Sequence, residues 1–275
     1  MTHVLGIDAA WTKTQPSGVA LASATSEGWR LVAVAPSYQR FHDLAKGRKM
    51  EGRPTGSIPD ASELLASASV LCGGPVDIVA VDMPLSRLPI EGRRASDNAV
   101  SAAYGGRWAS THTPSISRPG PVSDNLRAGF EAMGYPLQTE PDASQGLIEV
   151  YPHPAIIEFA MADKRSPYKY GNRSKYWPDL SATGRRTNIL SEWANIVSLM
   201  ENEIEGVASA LPPLEGGTAN GVDWKAYEDM LDAIVCVAVG ICVLENRALP
   251  FGDKDSAIWI PKPGCAKPIR LRSEP

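Results

Sequence analysis

The stretch His3-Val4-Leu5-Gly6-Ile7-Asp8-Ala9-Ala10-Trp11 decides the fold. Val4, Leu5 and Ile7 form a short apolar run that reads as a buried strand, and Asp8 stands where that strand runs out. A carboxylate at the mouth of a first central strand suits a metal site better than a core. Two later stretches repeat the arrangement. VDIVAVDMP (76–84) ends an apolar run on Asp82, and GLIEVYPHP (146–154) carries Glu149. A fourth, YEDMLDAIVCVAVGICVLE (227–245), puts Asp229 and Asp232 three positions apart on one side of a helix.

Working outward from Asp8, TKTQPSG (12–18) is a turn by composition, because Pro16, Ser17 and Gly18 all favour chain reversal. Val19–Ser23 and Trp29–Ala35 follow as strands, which gives a three-stranded antiparallel meander. Residues 36–56 are basic and lack periodicity, so they are expected to be mostly loop. Asp60 starts a helix whose apolar face is Leu64, Leu65, Ala68 and Leu71, and Gly73-Gly74-Pro75 stops it. The run ending on Asp82 does not alternate, as in a strand buried on both faces. A right-handed crossover then sets it beside the first strand, with Asp8 and Asp82 as neighbours. Ser123–Met133 is a short helix capped by Ser123 or Asp124. A helix spans Asn188–Glu203, and the last one, Trp224–Leu244, packs on the sheet. The chain reads as a single domain over 1–275, with insertions at about 85–145 and 160–220.

The 43% hydrophobic content supports a large core, and a net charge of −4 excludes a global basic field for nucleic acid. Any polyanion is held by a local patch or through metal ions. The four cysteines form no CxxC pair, which fits reduced thiols in a cytoplasmic protein. The longest apolar run, Ala233–Leu244, is too short to span a bilayer. Residues 164–186 interleave Lys164, Arg165, Lys169, Arg173, Lys175, Arg185 and Arg186 with Tyr168, Tyr170, Tyr176 and Trp177. This is either a single-strand nucleic-acid surface or a solvated insertion with snorkelling cations. Arg93 and Arg94 are further nucleic-acid candidates. Acids near a helix start suit the helix dipole, which accounts for Asp229, whereas Asp232 has apolar neighbours and needs a partner.

The order of these elements resembles the ribonuclease-H-like superfamily, and the DxxDA helix at Asp229-x-x-Asp232-Ala233 is similar to that of RuvC-type resolvases. The strings GIDAAW, VAVDMPL, RRASD (93–97), EVYPHP and EDMLDAIVC resemble domain of unknown function 429, a family of predicted nucleases. The resemblance covers about 4–261. It implies an α/β fold with a mixed five-stranded sheet, its first three strands antiparallel, flanked by helices and with a long insertion before the last helix. It also implies a metal-dependent nuclease. In that chemistry two Mg²⁺ or Mn²⁺ ions ~4 Å apart clamp the attacking and leaving oxygens. Asp8 is then the bridging ligand, Asp82 an outer ligand and Asp232 the ligand from the last helix, with Asp229 and Glu149 in reserve. Glu149 departs from the usual positions, and it either completes the site or orients an arginine such as Arg94. His153, between two prolines, reads as structural rather than as a base. Two other readings compete. One is an ATP-dependent kinase or ATPase of the actin-like superfamily, which needs a second domain copy that the sequence lacks. The other is a catalytically idle binding module.

Overall fold

In a computed structural model, residues 1–49, 52–214 and 219–267 are described. The elements in chain order are β1 (His3–Asp8), β2 (Gly18–Thr25), β3 (Gly28–Ala35), α1 (Tyr38–Ala45), α2 (Ala61–Cys72) and β4 (Ile78–Asp82). Then come α3 (Ala95–Tyr104), α4 (Pro121–Ala132), β5 (Gly146–Val150), α5 (Pro152–Phe159), α6 (Arg173–Tyr176) and α7 (Ala182–Glu203). Last are β6 (Ile204–Glu205), α8 (Val207–Ala210), α9 (Gly221–Leu244), β7 (Ala248–Gly252) and β8 (Ala257–Pro261).

All the described strands join one mixed sheet in the order β6-β3-β2-β1-β4-β5-β8-β7. β1, β2 and β3 are antiparallel neighbours, while β1, β4, β5 and β8 run parallel. The sheet has eight strands rather than the expected five. β6 is two residues long and pairs with β3 at one edge. β7 and β8 extend the other edge, and their signal is weak because Pro250 and Pro261 interrupt short runs.

The central strands are buried on both faces. Val4, Ala20, Ile78 and Ile148 point toward α9, α7 and α5. Leu5, Ile7, Leu21, Val79 and Val81 point toward α1, α2 and α4, meeting Phe41, Leu64 and Phe130. Alternate residues therefore serve opposite layers, which is why these runs read as continuously apolar.

Two glycines set how closely α9 lies on the sheet. A Cβ on Gly6 would stand 2.2 Å from the Ala233 carbonyl oxygen, and one on Gly18 would stand 2.0 Å from that of Asp229. Backbone thus meets backbone, and the acidic first half of α9 is lowered onto the ends of β1 and β2.

Several boundaries differ from the sequence reading. The basic stretch after β3 is not mostly loop at its start, because Ser37 caps α1 by accepting from the Arg40 amide. Met50 and Glu51 of that stretch lie outside the described residues. α4 begins at Pro121 behind Gly120, and the expected cap Ser123 instead donates to the Pro84 carbonyl. α7 starts six residues earlier than expected, at Ala182 behind the Ser181 cap. The helix expected from Asp60 is α2, with Asp60 accepting from the Ser62 and Glu63 amides and Gly73 in the left-handed region. Among the described residues, no helix is long and apolar enough to cross a membrane.

Candidate active site

Asp8 and Asp82 are the last residues of β1 and β4 and are register partners in the parallel ladder. Parallel pairing thus brings two carboxyl groups together at the carboxyl ends of the strands, where α/β sheets place their ligand sites. α9 adds Glu228, Asp229 and Asp232, each almost fully buried. Asp229 and Asp8 are hydrogen-bonded to each other.

Asp8, Asp82 and Asp229 form the floor of a cleft of about 1070 Å³. Its walls carry Lys13, Arg53, Arg118, Lys225 and His112, with Trp11 under the Arg118 guanidinium at 5.7 Å. A smaller cavity of about 50 Å³ shares Trp11, Asp82 and His112 with it and reaches Arg94 and Glu149.

The charges on α9 are matched by lysines. Lys169 is ion-paired to Asp232 and lies 3.8 Å from Glu228. Lys225 is ion-paired to Asp229 and lies 2.9 Å from Glu228. Tyr168 donates to Asp232 Oδ1 at 2.6 Å, and the Tyr170 amide donates to Glu228 Oε2 at 2.5 Å. Both lysines are held above their ordinary pKa because their carboxylate partners outweigh the cost of burial. Burial alone would push Glu228 up, but Lys169 and Lys225 bring it below its usual range.

Asp8 and Asp82 differ. Among the described residues, no lysine or arginine is ion-paired to either. Burial, then Asp229 and Asp232, push Asp8 well above the usual carboxylate range. Burial pushes Asp82 up to about 7, with Lys169 opposing it. Burial also raises Asp229, against the pull of Lys225. One carboxyl poised near neutrality beside a second that burial and neighbouring acids hold well above the usual carboxylate range is an acid–base arrangement.

The expected metal set does not fit these side chains. Asp232 is turned to Lys169 and Tyr168 and does not line the cleft with Asp8 and Asp82. Among the described residues, no three histidine, cysteine or carboxylate side chains are grouped to hold an ion.

Glu149 does not complete the carboxylate floor. It receives two bonds from Arg94, at 2.5 and 2.8 Å, and one from the Leu85 amide at 2.7 Å. Arg94 also binds both Asp97 oxygens, at 3.0 and 2.9 Å, and the Leu85 carbonyl at 2.7 Å. All five guanidinium donors are thus spent inside the fold, so Arg94 has none left for a phosphate. Glu149 is the residue that orients it.

The other basic candidates are also relocated. Lys169 lies within the acidic cluster, and Arg173 stacks over Tyr170 at 3.9 Å while donating to its carbonyl at 2.8 Å. Tyr168 and Tyr170 are buried and form part of the core and a wall of the cluster, whereas Lys164, Ser174 and residues 178–183 of the same segment are exposed. Lys175 is exposed on α6, away from the cleft lining. Arg93 is exposed but bonds Asn98, Thr113, Ser101 and the Asp97 carbonyl, which ties α3 to the loop carrying Thr113. His153 is buried between the Tyr151 and Tyr168 rings, at 5.4 and 5.2 Å, and burial keeps its pKa well below the usual value.

Sequence reading missed Lys13, Arg53 and Arg118 as cleft walls and Lys225 as partner to the α9 acids. For Lys225 a signal exists, since Lys225, Glu228, Asp229 and Asp232 recur at helical spacing. The wall residues come from separate loops and carry no shared spacing.

The fold and cleft define an α/β protein whose parallel strand ends and last helix converge on a carboxylate-floored site. The chain belongs to the family described as protein of unknown function (DUF429), whose model matches residues 6–257. No curated protein and no solved structure matches it.

Proposed function

We propose that the chain is a hydrolase of phosphodiester bonds, a nuclease working in the cleft between β1, β4 and α9. The observation that carries this reading is the polarity of the cleft, with Asp8, Asp82 and Asp229 on its floor and Lys13, Arg53, Arg118 and Lys225 on its walls. Cationic walls hold a phosphate and take up the charge that develops on its oxygens, while the carboxyl groups move protons. The order β3-β2-β1-β4-β5, antiparallel then parallel, supports a ribonuclease-H-like core inside the larger sheet.

In this mechanism Asp82, near 7, is the base that takes a proton from the attacking water. Oxygen bonds to phosphorus, the bond to the leaving oxygen breaks, and the proton that burial and the neighbouring acids hold on Asp8 passes to that oxygen. Arg118, Arg53 and Lys225 neutralise the phosphate through both events. Trp11 offers an aromatic face beside them for a base.

The test is a panel of labelled single-stranded, duplex and branched DNA and RNA, read for both retention and cutting. Wild-type protein cuts at least one substrate, with a rate that rises with pH through about 7. Asp82→Asn lowers the rate by roughly 10²–10⁴-fold and leaves retention intact. Failure to retain or cut any of them at low salt sinks the nuclease reading.

A further inference from the structure

The expected divalent ions and the observed side chains disagree most clearly along the face of α9 that carries Glu228, Asp229 and Asp232. Each of two ammonium groups there reaches two carboxylates, which is how a divalent ion would serve this face. Lys169 meets Asp232 and Glu228, and Lys225 meets Asp229 and Glu228.

Each lysine is placed by the backbone that carries it. Lys225 sits on α9 itself, three and four residues before its partners. Lys169 is delivered by a strut of chain fixed on both sides. On one side the Tyr168 hydroxyl binds Asp232, and the Tyr168 carbonyl accepts from Trp193 Nε1 at 2.8 Å. On the other side the Tyr170 amide binds Glu228, and the Tyr170 ring stacks on Trp224 at 5.1 Å. The chain therefore presents Lys169 to the acids at a high effective concentration, which a dissolved ion must overcome.

We propose that Lys169 and Lys225 are the resident cations of this cluster, standing in for the divalent ions that the acids alone would call for. Lys225, half-exposed and lining the cleft, is the one that reaches substrate, which rests on the proposed phosphodiester reading. Lys169 is more deeply buried and is a positioning residue that holds Asp232 and Glu228.

The test is titration of Mn²⁺ alone, by calorimetry and by melting temperature, into wild type, Lys169→Met and Lys169→Arg. Wild type and Lys169→Arg give no saturable heat and no shift in melting temperature. Lys169→Met removes the ammonium group from Asp232 and from one side of Glu228, and it gives a saturable Mn²⁺ heat and a rise in melting temperature with Mn²⁺ that wild type lacks. Saturable Mn²⁺ binding by wild type that Asp232→Asn removes would overturn the proposal. So would a folded Lys169→Met that stays silent. Should Lys169→Met be unfolded in metal-free buffer, recovery of its circular dichroism in Mn²⁺ supports the proposal and failure to recover counts against it. None of these readouts is turnover, so a failed nuclease panel leaves this result standing and the two ideas fall separately.

Discussion

The end of β4 is flanked by two clusters of charge that look alike in composition and differ in balance. On the β5 side, Arg94, Asp97 and Glu149 exchange bonds until all five guanidinium donors are spent. On the β1 side, two lysines cover the acids of α9, while Asp8 and Asp82 keep no cation in contact among the described residues. The first cluster is closed and serves to hold the β4–α3 connection against β5. The second retains unmatched acidity and opens onto a cleft. Buried charge whose partners are all supplied internally reads as architecture, and charge left unmatched beside a cavity reads as chemistry.

The sharpest way to break this contrast is Arg94→Met. It leaves Glu149 and Asp97 buried without their partner, and chemical denaturation should show a loss of about 3–5 kcal/mol. A near-neutral result would mean that the closed cluster is not what holds this region.

Asp82→Asn should do the opposite. Burial raises Asp82 from 3.8 to about 7, so the native state binds more protons than the unfolded chain between those values. Stability then falls as pH rises through that window and levels off above about 7. Removing the charge should stabilise the protein at pH 8 by about 2 kcal/mol. The ceiling is about 4 for a three-unit shift, reduced because the carboxyl group lies at an open cleft. The gain should shrink toward pH 5. Melting curves of both proteins at the two pH values test this, and equal gains at both would remove Asp82 as the strained group.

On the cleft walls, Arg118→Ala should weaken retention of single-stranded nucleic acid by about 1 kcal/mol. It should also flatten the salt dependence by about 0.7, one phosphate contact. Binding isotherms across a salt series check both. Lys175→Ala, on exposed α6 outside the cleft, should change neither retention nor salt slope, and the same isotherms serve as its measurement. If Lys175 and Arg118 behave alike, the cleft is not the binding surface.

Much of the frame was legible from local pattern alone. An apolar run ending on an acid identifies β1 and β4, turn residues identify the meander, and helical spacing identifies α9 with its acids. Each of these signals lies within a few residues of chain, where backbone geometry ties sequence spacing directly to direction in space. The neighbouring of Asp8 and Asp82 followed from one further rule, the handedness of the crossover, and the parallel register agrees with it.

What tertiary structure alone decided is which charges cancel. Lys169 lies among tyrosines in a basic stretch, and nothing in that stretch distinguishes an exposed phosphate ligand from a buried partner of Asp232, 63 residues away. Arg94 and Glu149, 55 residues apart, are just as silent until β5 is laid beside β4. Ion pairing acts through space and depends on burial, whereas sequence spacing reports only along the chain. Sequence therefore determined where the acids stand, and packing determined that Asp232 and Glu149 are answered from within while Asp8 and Asp82 are not.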